Sequence, residues 1–116
     1  MKTKLYRSLT VIWGLVISYF SLLPSDSMVI TSLGDKAEHF IGYCALSIVA
    51  SLGWKSRSIV PLSCIIFGIA IEVAQGLEGS RTPSIADAIA NSLGVVAGLT
   101  LVIFLQRRSS NNINPE

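Results

Sequence analysis

The residues of this chain able to do acid–base or binding chemistry are few, and they fall at helical intervals. Asp35, His39 and Tyr43 follow one another at i, i+4 and i+8, which puts them on one face of a helix. A carboxylate beside an imidazole orients the ring and stabilises its cation, so His39 with Asp35 and Asp87 has the residue types of an acid–base unit. Gly68, Glu72, Gln75 and Gly76 form a second stripe of small and polar residues, and Ser84, Asp87, Asn91, Gly94 and Gly98 a third. Lys36 and Arg81 supply positive charge close to these acids in the sequence, and a guanidinium can hold a phosphate through two parallel N–H bonds.

Each assignment has a plainer counterpart. His39 and its carboxylates could be a hydrogen-bonded staple between helices. Glu72 and Gln75 could bind a head group or a proton, or tie their helix to the one carrying Asn91. Lys36 and Arg81 could meet lipid head groups or only neutralise Glu72 and Asp87. Tyr43 reads as a packed ring with a satisfied hydroxyl rather than a catalytic acid. Asp35, His39, Glu72 and Asp87 are metal-ligand types, yet one histidine without an HExxH pattern or a cysteine pair is a poor zinc signature, so neither a metal nor any other cofactor is expected. Cys44 and Cys64 are expected as small apolar residues, and Trp54 as an interfacial anchor.

The elements that must position these residues are apolar. Of 116 residues 51% are hydrophobic and only 14% charged, against about 25% charged in an ordinary soluble domain. Too little polar surface remains to coat a globule in water, which suggests lipid as the solvent. The net charge of +2 and the lack of an aromatic and basic platform give no reason to expect a nucleic-acid partner. Helices are expected over about 6–23, 36–54, 59–77 and 85–105, against the roughly 20 apolar residues of a membrane span; the apolar part of the second, His39 to Trp54, is short unless its polar start at Asp35 counts as the first turn. The alternation of a membrane β-barrel is missing. The first run is preceded by Lys2, Lys4 and Arg7, as a signal peptide would be, but its apolar stretch is long for one. The expectation is an all-α, polytopic membrane protein, a single domain of four transmembrane helices in an antiparallel bundle.

Orientation follows from the basic residues. Lys2, Lys4, Arg7, Lys55, Arg57, Arg107 and Arg108 all fall on one side of such a bundle, leaving Lys36 and Arg81 on the other. The side richer in Lys and Arg is cytoplasmic, so both termini and the middle loop face the cytoplasm of a plasma or inner membrane. Antiparallel threading then brings Asp35, His39, Glu72, Gln75, Arg81, Asp87 and Asn91 toward the outer half. A carboxylate at mid-bilayer costs about 2.5–3.5 kcal/mol on insertion scales, enough to turn Glu72 and Asp87 away from lipid. Gly94 and Gly98 form a GxxxG pair, which allows another helix to approach closely.

These residues carry a resemblance. Asp35-Lys36-x-x-His39-x-x-x-Tyr43, Glu72-x-x-Gln75 and Arg81-x-x-Ser84-x-x-Asp87-x-x-x-Asn91-x-x-Gly94-x-x-x-Gly98 resemble the signature of the VanZ-like family, and Ser21-Leu22-Leu23-Pro24 is similar to it too. The resemblance implies a bacterial membrane protein of the cell envelope whose namesake is linked to low-level resistance to the glycopeptide teicoplanin. It supplies no reaction. With it, the expected site has His39, Glu72 and Asp87 as proton-exchanging residues and Asp35, Lys36, Tyr43, Gln75, Arg81, Ser84 and Asn91 as ligand-binding ones. The expected partners are membrane lipids and a lipid-linked envelope precursor or lipophilic ligand. A non-catalytic interaction protein is the competing reading, and proton-coupled transport would require a homo-oligomer.

Overall fold

The computed structural model describes residues 1–23, 34–79 and 82–113. Four helices follow in order: α1 (Lys2–Ser21), α2 (Asp35–Gly53), α3 (Ile59–Glu78) and α4 (Ile85–Ile113). The all-helical reading therefore holds. Pro24 and Arg81 lie outside the described residues.

The helix ends have local causes. Gly79 closes α3 at φ 77°, a left-handed conformation that glycine adopts without a Cβ clash. Pro61 sits in the first turn of α3, where its missing N–H leaves no helical bond unmade, and the Ser56 hydroxyl accepts the Ile59 N–H at 3.1 Å. Ser84 caps α4: its hydroxyl accepts the Asp87 N–H at 3.2 Å. The sequence places the end of α4 near Leu105, but the helix continues to Ile113. Gln106, Arg107 and Arg108 end an apolar stretch, yet no glycine or proline follows before Ile113 to break the backbone.

α2 is the hub. It packs on each of the other three helices, its most extensive interface being with α4, while α1 and α4 lie apart. The α2–α4 contact is set by glycine. A Cβ at Gly94 would run into the Phe40 carbonyl oxygen, and one at Gly98 would lie 2.5 Å from the Cys44 carbonyl oxygen. The GxxxG pair thus lets two backbones meet, and Ser47, fully buried there, donates to the Val95 carbonyl at 2.8 Å.

α1 is attached differently. It has no fully buried residue, and three side chain-to-backbone bonds hold it at three levels: Arg7 Nε to the Gly53 carbonyl at 2.9 Å, Trp13 Nε1 to the Gly42 carbonyl at 2.9 Å, and Gln75 Nε2 to the Ser21 carbonyl at 2.7 Å.

The interior holds an apolar core of Tyr43, Leu46, Ala50, Val60, Cys64 and Val95, with polar side chains buried beside it. Glu72, Gln75, Asp87, Asn91, Ser47 and Ser51 are buried, whereas Ile59, Leu62, Ile66, Ile69, Val73 and Leu77 make an exposed apolar stripe along the whole of α3. α3 and α4 are long and apolar enough to cross a membrane. α1 and α2 are not among such helices; the first opens with Lys2, Lys4 and Arg7 and the second with Asp35, Lys36 and Glu38.

Candidate functional site

The helix directions bring four chain segments to one end of the bundle: the end of α1, the start of α2, the end of α3 and the start of α4. Asp35, Glu38 and Asp87 occupy the first turns of α2 and α4, where a carboxylate complements the positive end of the helix dipole.

His39 lies at the centre. Its Nδ1 is 3.0 Å from Asn91 Oδ1 and its Nε2 is 3.6 Å from Asp35 Oδ1. An amide oxygen only accepts, so this pairing puts the proton on Nδ1 and leaves Nε2 as the nitrogen able to exchange one beside Asp35. Lys36 Nζ meets Asp87 Oδ1 at 3.0 Å, with the lysine side chain 63% exposed and the aspartate 9%. Asp87 links in turn to Ser84, whose backbone N–H donates to Glu72 Oε2 at 3.2 Å. Asp35, His39 and Asp87 offer ligand atoms within 4.8 Å of one another, which fits the charge and size of a metal site. Glu72 is not in that group, and the Lys36 ammonium already lies against Asp87, so the arrangement also stands as an ion-paired cluster without a metal.

Asp35, Lys36, His39, Glu72, Ser84, Asp87 and Asn91 are linked by these contacts, Arg81 lies outside the described residues, and the partners of several differ from those expected. Gln75 bonds α1 rather than the helix carrying Asn91, because its amide reaches the free carbonyl at the end of α1. Glu72 reaches α4 through the Ser84 backbone and not through Asn91. Tyr43 is buried against Phe67, ring centroids 6.1 Å apart, as a packed ring should be, but its hydroxyl has no partner among the described residues. The same holds for Glu72 Oε1 and Asn91 Nδ2. Both cysteines are free.

A cavity of about 170 Å³ opens beside His39 between α1 and α2. Asp35, Glu38 and His39 line one part of it, and Val16, Ile17 and Phe20 of α1 another. Sequence reasoning missed the contribution of α1. Trp13, Val16, Ile17 and Phe20 repeat at helical spacing, so a stripe was present to be found, but nothing in it marked a cavity wall rather than a lipid-facing surface.

The class so defined is an all-α protein with four helices among the described residues, two of them apolar enough to span a membrane, and a cluster of acids, amides and one imidazole at one end. No family model, curated protein or solved structure matches the chain.

Proposed function

We propose that this chain is a VanZ-like membrane protein of the bacterial cell envelope whose four helices cross the plasma membrane, and that it binds an amphipathic or lipid-linked molecule at an outward-facing pocket beside His39. One observation carries the reading: the cavity joins Asp35, Glu38 and His39 to the apolar Val16, Ile17 and Phe20, the two chemistries of an amphipathic ligand. The apolar outer faces and buried polar groups favour lipid as the surrounding medium, since a soluble domain rarely leaves so large an apolar surface uncovered. The excess of Lys and Arg at the opposite end of the bundle favours the outward orientation of the pocket.

In this reading the apolar part of the ligand lies along α1 and its head reaches the polar end. Lys36, mostly exposed, turns from Asp87 to an anionic head group; Arg81, outside the described residues, is proposed as a second cation for it on sequence grounds alone. His39 exchanges a proton at Nε2, held in place by Asn91 at Nδ1 and faced by Asp35. Glu72, Asp87 and Ser84 keep the starts and ends of α3 and α4 in register around it.

The test compares activity with abundance. The chain is expressed in a teicoplanin-sensitive bacterium, where it is expected to raise tolerance. His39→Ala, Glu72→Ala, Arg81→Ala and Asp87→Ala should each remove that effect while membrane abundance stays near wild type. Unchanged tolerance in all four variants would end the proposal. A second reading is favoured by the bonds between His39 and Asn91, Gln75 and Ser21, and Ser84 and Glu72, which staple helices together: a non-catalytic interaction protein whose polar residues are structural. It requires tolerance and abundance to fall in parallel.

A further inference from the structure

A separate cavity of about 320 Å³ lies where the α2–α3 turn meets α4, at the end of the bundle opposite His39. α4 supplies Leu99, Val102, Ile103 and Gln106 at i, i+3, i+4 and i+7, so one helix face runs about 10 Å from apolar side chains to an amide. The turn supplies Lys55 and Arg57, and α2 supplies Ser51.

The charge around this cavity has one sign. No carboxylate lines it, and among the described residues neither Lys55 nor Arg57 is in an ion pair. Ser51 adds an unmet bond. Its side chain is only 8% exposed, yet its hydroxyl has no partner among the described residues. The hydroxyls of Ser18, Ser47 and Ser92 each donate to a helix carbonyl, so a helical serine in this fold readily finds one. A buried hydroxyl that forgoes that bond beside a cavity points to a partner outside the chain.

We propose that this cavity binds a phosphate group, carried by an anionic phospholipid or free in solution. Lys55 and Arg57 neutralise its charge, Arg57 through parallel N–H donors, while Ser51 and Gln106 offer neutral ones. Leu99, Val102 and Ile103 give the rest of the ligand an apolar wall, which favours the phospholipid as carrier. The site rests neither on the pocket beside His39 nor on its ligand, and only the phospholipid source needs the membrane reading.

Two measurements on the full chain in mild detergent test the site. Native mass spectrometry reads retention of phosphatidylglycerol against phosphatidylcholine with identical acyl chains. Thermal unfolding reads the effect of inorganic phosphate against chloride at matched ionic strength. Phosphatidylglycerol should be retained about tenfold over phosphatidylcholine, the scale of two basic residues acting on one anionic lipid. Lys55→Gln/Arg57→Gln should bring the two lipids level; both side chains are exposed, so the variant should unfold at the wild-type temperature. Arg107→Gln/Arg108→Gln removes the same charge from the same end without altering the cavity lining, and should keep the preference. A rise in unfolding temperature specific to phosphate and abolished by Lys55→Gln/Arg57→Gln, with no lipid preference, would assign the site to free phosphate. Neither effect in the wild-type chain overturns the proposal. So does a lipid preference that survives Lys55→Gln/Arg57→Gln, or one that falls equally in the Arg107→Gln/Arg108→Gln variant. Each of these failures leaves the pocket beside His39 standing.

Discussion

Asn91 and Ser47 are both buried and both bond across the α2–α4 interface, yet their removal should differ in effect. Asn91 Oδ1 is the partner of His39 Nδ1, and that imidazole is itself largely shielded from water. Asn91→Ala leaves a ring N–H without a partner, at a cost of about 1–3 kcal/mol. The Ser47 hydroxyl donates to the Val95 carbonyl, which lies inside α4 and also accepts a helical bond, so Ser47→Ala should cost only about 0.6 kcal/mol, typical of a hydrogen bond between membrane helices. Denaturant unfolding in detergent checks the ranking; equal losses would show that the His39–Asn91 bond is not formed. Sequence reached part of this site. The i, i+4, i+8 spacing set Asp35, His39 and Tyr43 on one face, and the buried stripe of Tyr43, Ser47 and Ala50 follows from it. It did not reach the partners. Periodicity defines which way a side chain points along its own helix, whereas Gln75 meeting Ser21 and Glu72 meeting the Ser84 N–H depend on which helix stands opposite.

At the scale of elements, one chemical change should act with opposite sign at two glycines. Gly42 in α2 has nothing within 4 Å of an added Cβ, so Gly42→Ala should stabilise the helix by up to about 1 kcal/mol. Gly94 has the Phe40 carbonyl in the way and the Cys44 nitrogen at 3.1 Å, so Gly94→Ala should push α4 from α2 at a cost of about 1–3 kcal/mol. Thermal unfolding of the two variants in the same detergent measures the difference; a neutral Gly94→Ala would mean that the backbones do not approach as closely as described. The GxxxG spacing was legible because two small residues on one face have few other uses in so apolar a helix. The length of α4 was not, because hydropathy reports where an apolar run ends and not where backbone hydrogen bonding ends. The attachment of α1 was also hidden: Arg7, Trp13 and Ser21 reach other helices through single bonds to or from backbone groups, which leave no mark in side-chain periodicity.

For the whole molecule, the arrangement has a polarity. Among the described residues the acids, the imidazole and most of the buried amides lie toward one end, and most of the Lys and Arg toward the other, with exposed Ile, Leu, Val and Phe between. In the proposed orientation this polarity turns the pocket beside His39 to the outside. Short links join α2 to α3 and α3 to α4, so their antiparallel connection was readable from the chain. The central position of α2, and the separation of α1 from α4, were not, since four similar amphipathic runs can be ordered in several ways.

Orientation is the premise of the outward-facing pocket, and cysteine labelling measures it directly. With Cys44 and Cys64 replaced by alanine, a single cysteine is placed at Thr82 or at Arg57, both exposed. A membrane-impermeant maleimide added to intact cells should label Thr82→Cys at once and Arg57→Cys only after permeabilisation. Labelling of Arg57→Cys but not Thr82→Cys in intact cells would turn the pocket toward the cytoplasm, and labelling of both would mean that α3 does not cross the membrane.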